Sequence, residues 1–371
     1  MLRWSLAAVV ALLALTGCAD LPYYWQSVSG HVQLLRAAQP VEQWMADPST
    51  SDRLKDQLAL SQRIRRFAVA DLALPDNNSY QRYADVQRWA VVWNVVAAPA
   101  WSLTLKTWCF PVAGCVGYRG YFDETQARAQ ASELKNQGLE VSVYGVPAYS
   151  TLGWLNWVGG DPLLSTFIHY PEGELARMIF HELAHQVVYI PDDTRFNESF
   201  ASAVERLGSE QWMESHASEK ARQEFALLNQ RRAQFRSLVQ ATRQALVKIY
   251  AETSTQEPPT AVQTAAKTRA MQEFRNRYQQ LKEGWDPASA PLPKFGNYDA
   301  WVEHANNAAF GAQAAYDDLV PHFVALFERE SQGVTGAEAW RRFFARVEQM
   351  KELSPAVRMQ ALEPNQKGQL L

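Results

Sequence analysis

The stretch Met178-Ile179-Phe180-His181-Glu182-Leu183-Ala184-His185-Gln186-Val187-Val188 decides how this chain is read. Its apolar flanks and its lack of Gly and Pro predict a buried helix, expected over Glu172 to Tyr189. Residues four apart on a helix share a face, so His181 and His185 would stand one above the other. Two imidazoles so placed can hold one zinc ion. Glu182, one residue after the first ligand, can reach the ion's water without binding the ion. It would take the water's proton and later deliver it to a leaving amine. The competing reading is a helix that merely contains two histidines.

A third donor weighs against that reading. Glu198 stands in Arg195-Phe196-Asn197-Glu198-Ser199-Phe200-Ala201-Ser202, with twelve residues between it and His185. A turn at Pro191-Asp192-Asp193-Thr194 and a further helix starting near Asn197 would return this carboxylate to the first helix. Two His, one Glu and an open fourth position form the common catalytic zinc arrangement. Glu205, seven residues further on the same face, is a rival ligand or a residue that orients a ligand histidine. For either glutamate the plain alternative is a solvated surface charge. Tyr316, on a predicted helix after Asn306-Asn307-Ala308-Ala309-Phe310, is the candidate donor to a developing oxyanion, against the reading of a packed helix tyrosine. His169, His304 and His322 are isolated and read as structural.

Around the site the expected fold is α+β, mostly helix, with a small central sheet. Residues from about Tyr23 to Leu74 repeat apolar positions at three- and four-residue steps. Val91 to Val96 is β-branched and aromatic, Val116 to Phe122 is a second candidate strand, and Leu139 to Val146 alternates as a third. A helix over Thr125 to Gln137, ended by Gly138, crosses between the last two. Beyond Asn197 the pattern is helical to about Ala251, and a second long helix over Val262 to Glu283 completes a hairpin, about 216–284, whose charged character predicts that it protrudes. Helices return from Trp301 to Phe327 and from Ala337 to Lys351, and 363–371 reads as a disordered tail. Residues 18–362 are expected to form one domain. Ala148 to Trp154, after the third strand, is placed to pair with an extended peptide, or is plain core and turn.

The N-terminus belongs to targeting. A short basic start, an apolar run from Ser5 to Leu15 and then Leu15-Thr16-Gly17-Cys18 resemble a bacterial lipobox, in which 1–17 is removed and Cys18 carries lipid. A plain signal peptide or a signal anchor is the simpler reading. Lipid at Cys18 would hold the chain on a membrane, facing the periplasm of a bacterial envelope. Export makes a disulfide the expectation for Cys109 and Cys115, which have five residues between them in a Gly/Pro turn, with two buried thiols as the alternative. The formal charge of -3 gives no reason to expect a nucleic-acid partner.

The lipobox, the Cys109–Cys115 segment, Ala148 to Trp154, Phe180 to Gln186 and Phe196 to Ala201 together resemble the bacterial family of zinc-dependent aminopeptidase lipoproteins, gluzincin-like enzymes with the HExxH helix. Asn197-Glu198 is similar to the Asn-Glu pair at which thermolysin-like gluzincins supply their third ligand, here across a shorter loop. The resemblance implies removal of N-terminal residues from peptides, using one zinc ion. Alternatives are an endopeptidase with the same chemistry, or a non-catalytic envelope scaffold whose hairpin docks a protein partner.

Overall fold

Apolar spacing over the first segment produces three helices. They are α1 (Leu21–Ala37), then, after the short strand β1 (Gln39–Pro40), α2 (Val41–Ala46) and α3 (Asp52–Ala70). The computed structural model describes residues 21–110, 114–148, 150–151, 159–251, 260–285 and 298–363. Cys18, Trp154, Trp157 and most of the tail lie outside them, as does part of the Ala148 to Trp154 segment. Ser51 caps α3 by accepting from the Leu54 amide at 3.3 Å, and Leu58, Ile64, Phe67 and Ala68 bury its inner face.

The strands are β2 (Arg82–Ala84), β3 (Val92–Pro99), β4 (Trp108–Phe110), β5 (Gly114–Val116), β6 (Arg119–Tyr121), β7 (Leu139–Val146) and β8 (Leu163–Leu164), with α4 (Glu124–Asn136) between β6 and β7. They form a sheet in the order β6-β3-β7, a second in the order β1-β2-β8 and a β4-β5 ribbon. β3 pairs antiparallel with β7 from Val92↔Val146 to Pro99↔Leu139. The apolar run of β3 does not alternate because both its faces are covered. Trp93, Val95 and Ala97 pack with Ala127, Ala131 and Leu134 of α4, while Val96 and Ala98 meet Ala308 on the other side. The single strand expected over Val116 to Phe122 is two: β5 turns back on β4, bridged by the Cys109–Cys115 disulfide, and β6 pairs with β3.

The remainder is helical: α5 (Glu172–Ala184), α6 (Thr194–His216), α7 (Glu219–Ala251), α8 (Ala261–Glu283), α9 (Asp299–Glu303), α10 (Asn307–Asp317), α11 (Val320–Glu330), α12 (Gly336–Gln349) and α13 (Pro355–Leu362). The run expected from Asn197 to Ala251 breaks at Ala217, which is extended, and Ser218 restarts it by accepting from the Ala221 amide. α5 lies at the centre of the largest core, with Ile179, Phe180, Leu183 and Ala184 fully buried. It packs on α6 at close range, since a Cβ at Gly208 would stand 3.1 Å from the Phe180 ring. Phe196 and Phe200 of α6 pack on Phe323, and Phe200 on Phe343, which closes the far side with α11 and α12.

The α7–α8 hairpin does not stand free. Phe235, Val239, Leu246 and Tyr250 of α7 meet Met271, Phe274 and Tyr278 of α8, and Val302, Ala305 and Phe310 of the body complete the same cluster. Tyr250 donates to Asn307 Oδ1 at 2.6 Å, and Lys267 pairs with Glu140 at the start of β7. The charged pattern of α8 reflects only its outer face.

Candidate metal centre

α5 ends at Ala184, short of the expected Tyr189, and His185 forms its C-cap while still helical in φ and ψ. The last turn is thereby enough to bring the two imidazoles edge to face: His181 Nε2 and His185 Nε2 lie 3.1 Å apart. The chain then turns through Ile190 to Asp193. Asp193 caps α6 by accepting from the Phe196 amide at 3.1 Å, and Arg358 of α13 anchors that carboxylate at 2.8 Å.

Three consecutive residues of α6 now do three tasks. Asn197, 2 % exposed, staples the loop: its Nδ2 donates to Ile190 O at 2.7 Å and its Oδ1 accepts from Ile190 N at 2.8 Å. Glu198 is thereby delivered to the histidines, its Oε2 3.4 Å from His181 Nε2 and 3.6 Å from His185 Nε2. Ser199 donates to Ala315 O at 2.9 Å, which ties down the helix that carries Tyr316.

The three donors His181, His185 and Glu198 are the one set of its kind among the described residues. A tetrahedral zinc ion with bonds of about 2.0–2.1 Å separates its ligand atoms by roughly 3.3 Å. Edges of 3.1, 3.4 and 3.6 Å fit that figure. The electrostatics fit too. Burial penalises an ionised His181, yet Glu198 and Glu205 carry its pKa well above the usual 6.5. Burial likewise opposes an ionised Glu198, yet His185 and His181 hold it well below the ordinary carboxylate range. The buried donor set therefore favours a positive charge at its centre, of the kind a divalent cation carries.

The model of the family described as "Putative aminopeptidase" matches residues 22–362. The chain belongs to that family. Its description points to peptidase activity. No curated protein and no solved structure matches the chain.

In this aminopeptidase-family chain Glu205 does not join the triangle of donors. Its Oε2 accepts from His181 Nδ1 at 3.0 Å, which leaves the Nε2 lone pair facing the other two donors. Burial works against the Glu205 carboxylate, but Arg177 and His181 hold its pKa down at about 2. Arg177, one turn before His181 on α5, pairs with Glu205 and is itself almost fully buried. Nothing in the sequence pattern singled it out, beyond its being the one Lys or Arg of that helix.

Glu182 faces a cavity of about 840 Å³ that also exposes His181, Glu205 and Tyr316. Burial raises the Glu182 pKa, while His181 and His185 oppose the rise. The Tyr316 ring lies flat beside His181, centroids 6.4 Å apart. Burial, with Glu198 nearby, keeps its hydroxyl protonated, well above the ordinary tyrosine value. Two further tyrosines escaped sequence reasoning. Tyr118 and Tyr144 are both raised by burial and both feel Glu198. Tyr144 sits at an alternating position of β7, a weak signal, and Tyr118 gave none.

The outer wall of the cavity comes from the hairpin and its neighbours, with Arg232, Phe235 and Arg236 of α7 facing Tyr298 and Trp301. Pro147 and Ala148, just past β7, line its rim, so the described start of the Ala148 to Trp154 segment does lie at the site. His169, His304 and His322 are not part of it.

Proposed function

We propose that this chain is a zinc-dependent metallopeptidase acting as an aminopeptidase. The observation that carries the proposal is the near-equilateral arrangement of His181, His185 and Glu198 with Glu182 beside it in the cavity. The residues that would hold zinc are His181, His185 and Glu198. When bound, zinc would acidify a water and polarise the scissile carbonyl.

The chain's own groups supply the rest. Glu182, made more basic by its burial, accepts the proton of the attacking water and returns it to the leaving amine. Tyr316, kept protonated, is positioned to donate to the oxygen that gains charge as the carbonyl becomes tetrahedral. Glu205, fixed by Arg177, holds the His181 ring in the tautomer that presents Nε2. The hairpin forms part of the cavity wall, a role that its packing on the body supports over that of a free docking arm. The exopeptidase specificity is supported by the family and by a cavity in the size range of pockets that enclose small ligands.

The same reading places the protein in the bacterial cell envelope, lipid-anchored through Cys18 and facing the periplasm. The lipobox-like sequence supports it, as does the Cys109–Cys115 bridge, a bond that persists in oxidising compartments.

The test is metal analysis of purified protein beside a digest of a peptide library in free and N-blocked forms. Glu182→Gln is expected to keep about one zinc per chain and lose cleavage. Equal cleavage by both proteins would end this mechanism, and cleavage of blocked peptides would replace the aminopeptidase with an endopeptidase.

A further inference from the structure

One face of α1 is built to stay on the protein. Gln26 accepts from the Phe122 amide at 2.9 Å and donates to Gly120 O at 3.3 Å. Gly30 lies so close to Phe122 that a Cβ there would overlap the ring, at 2.2 Å. Tyr23 stacks on Phe110 at 5.6 Å, under the Arg119 guanidinium at 3.9 Å. The helix is therefore clamped to β6 and cannot turn over.

Among the described residues, little covers the opposite face. Leu21 is 66 % exposed, Tyr24 39 %, Trp25 73 %, Val28 59 % and Val32 36 %. At about 100° per residue these five fall in an arc of roughly 100°, a continuous apolar stripe. They are five of the ten exposed large hydrophobic side chains among the described residues, so the stripe is a concentration and not ordinary scatter. Its composition is that of a membrane boundary. A tryptophan and a tyrosine combine an apolar body with a polar tip, and α1 carries no acidic residue.

The stripe begins three residues after Cys18. Three extended residues reach about 10 Å, so any acyl chain on Cys18 enters the bilayer beside Leu21. We propose that the Leu21–Val32 stripe of α1 lies on the membrane surface, sunk into the headgroup boundary next to the lipid-bearing N-terminus. Anchor and stripe then meet the same surface, and the clamp on β6 passes that orientation to the sheet and the site. No described helix is long and apolar enough to cross a membrane; the proposed contact has α1 along the bilayer surface. The proposal rests on Cys18 lipidation for its geometry, and its test separates the two.

Cys109 and Cys115 are bridged. With Cys18 acylated, an introduced cysteine is a single labelling site. Val28→Cys and, as a remote control, Val262→Cys are labelled with an environment-sensitive fluorophore. The mature protein is reconstituted in phosphatidylethanolamine–phosphatidylglycerol vesicles containing nitroxide lipid. At position 28, emission shifts to the blue, lipid nitroxide quenches it, and iodide quenching falls on the order of threefold on reconstitution; position 262 does none of these. Equal behaviour at the two positions overturns the proposal, as does a probe at 28 shielded from iodide but untouched by nitroxide, which marks a protein partner instead. Intact mass of the mature chain reads acylation separately. If no acyl chain is found, the lipid anchor fails on its own, and flotation of the unacylated protein with the same vesicles still decides the fate of the stripe.

Discussion

Asn197→Ala isolates the device that brings Glu198 to the two histidines. The wild-type amide accepts from Ile190 N at 2.8 Å and donates to Ile190 O at 2.7 Å, where Ile190 is 5 % exposed, and that carbonyl also accepts from Asp193 N at 3.3 Å. Alanine leaves the buried Ile190 N–H unpaired, while Ile190 O keeps the Asp193 amide. One such group costs about 1–3 kcal/mol, which is the expected loss of stability. The remaining Asp193 N–H bond to Ile190 O closes the turn but does not tie it to Asn197, so the loosened loop also spreads the donor triangle. Metal affinity is then expected to fall by about 10–100-fold, the range seen when groups that orient ligands are removed. Urea denaturation with and without saturating zinc measures the first effect, and chelator competition the second. If Asn197→Ala stays within about 0.5 kcal/mol of wild type and holds zinc equally well, the staple does not position Glu198 and the derivation is wrong.

Glu205→Ala frees the His181 ring and strands the buried Arg177 charge, so zinc affinity drops about 10–100-fold and stability by roughly 3–5 kcal/mol; the double change with Arg177→Met should recover much of the stability but not the affinity. Tyr316→Phe should lower kcat on the order of 10–1000-fold at unchanged zinc content and unchanged unfolding free energy, and a change confined to KM would reassign the tyrosine to substrate binding. Asp161 has its pKa raised above 3.8 by burial, against hydrogen bonds from Thr151, Ser150 and Gln186. Its protonated form is favoured by folding, so the stability it contributes is complete below that value and lost as pH rises through the raised one. The stability difference between wild type and Asp161→Asn should therefore shrink as pH increases from about 4 to 8, and a difference that grows over that interval would contradict the burial argument.

Local periodicity carried most of the secondary structure. β7 occupies Leu139–Val146 as its alternation predicted, because one strand face and one helix face against it are enough to impose period two. The single strand expected over Val116 to Phe122 did not form, because a bend at Gly117 and the Cys109–Cys115 bridge divide the segment between two partners. The hairpin was legible as two long helices. Which of its faces would be covered was not, because that depends on Trp101, Trp301 and Phe310, residues far away in sequence.

The sequence by itself determined the pair His181 and His185 and the acid between them, since four residues of helix fix that geometry within a single turn. It also determined that a glutamate lay within reach, at Glu198 or Glu205. Only the tertiary structure decided between them. The choice rests on where a stapled loop ends, and on Arg177 drawing Glu205 to the other nitrogen of His181. Likewise Tyr316 and the cavity wall arrive through Ser199 and the hairpin, across separations that no local pattern records.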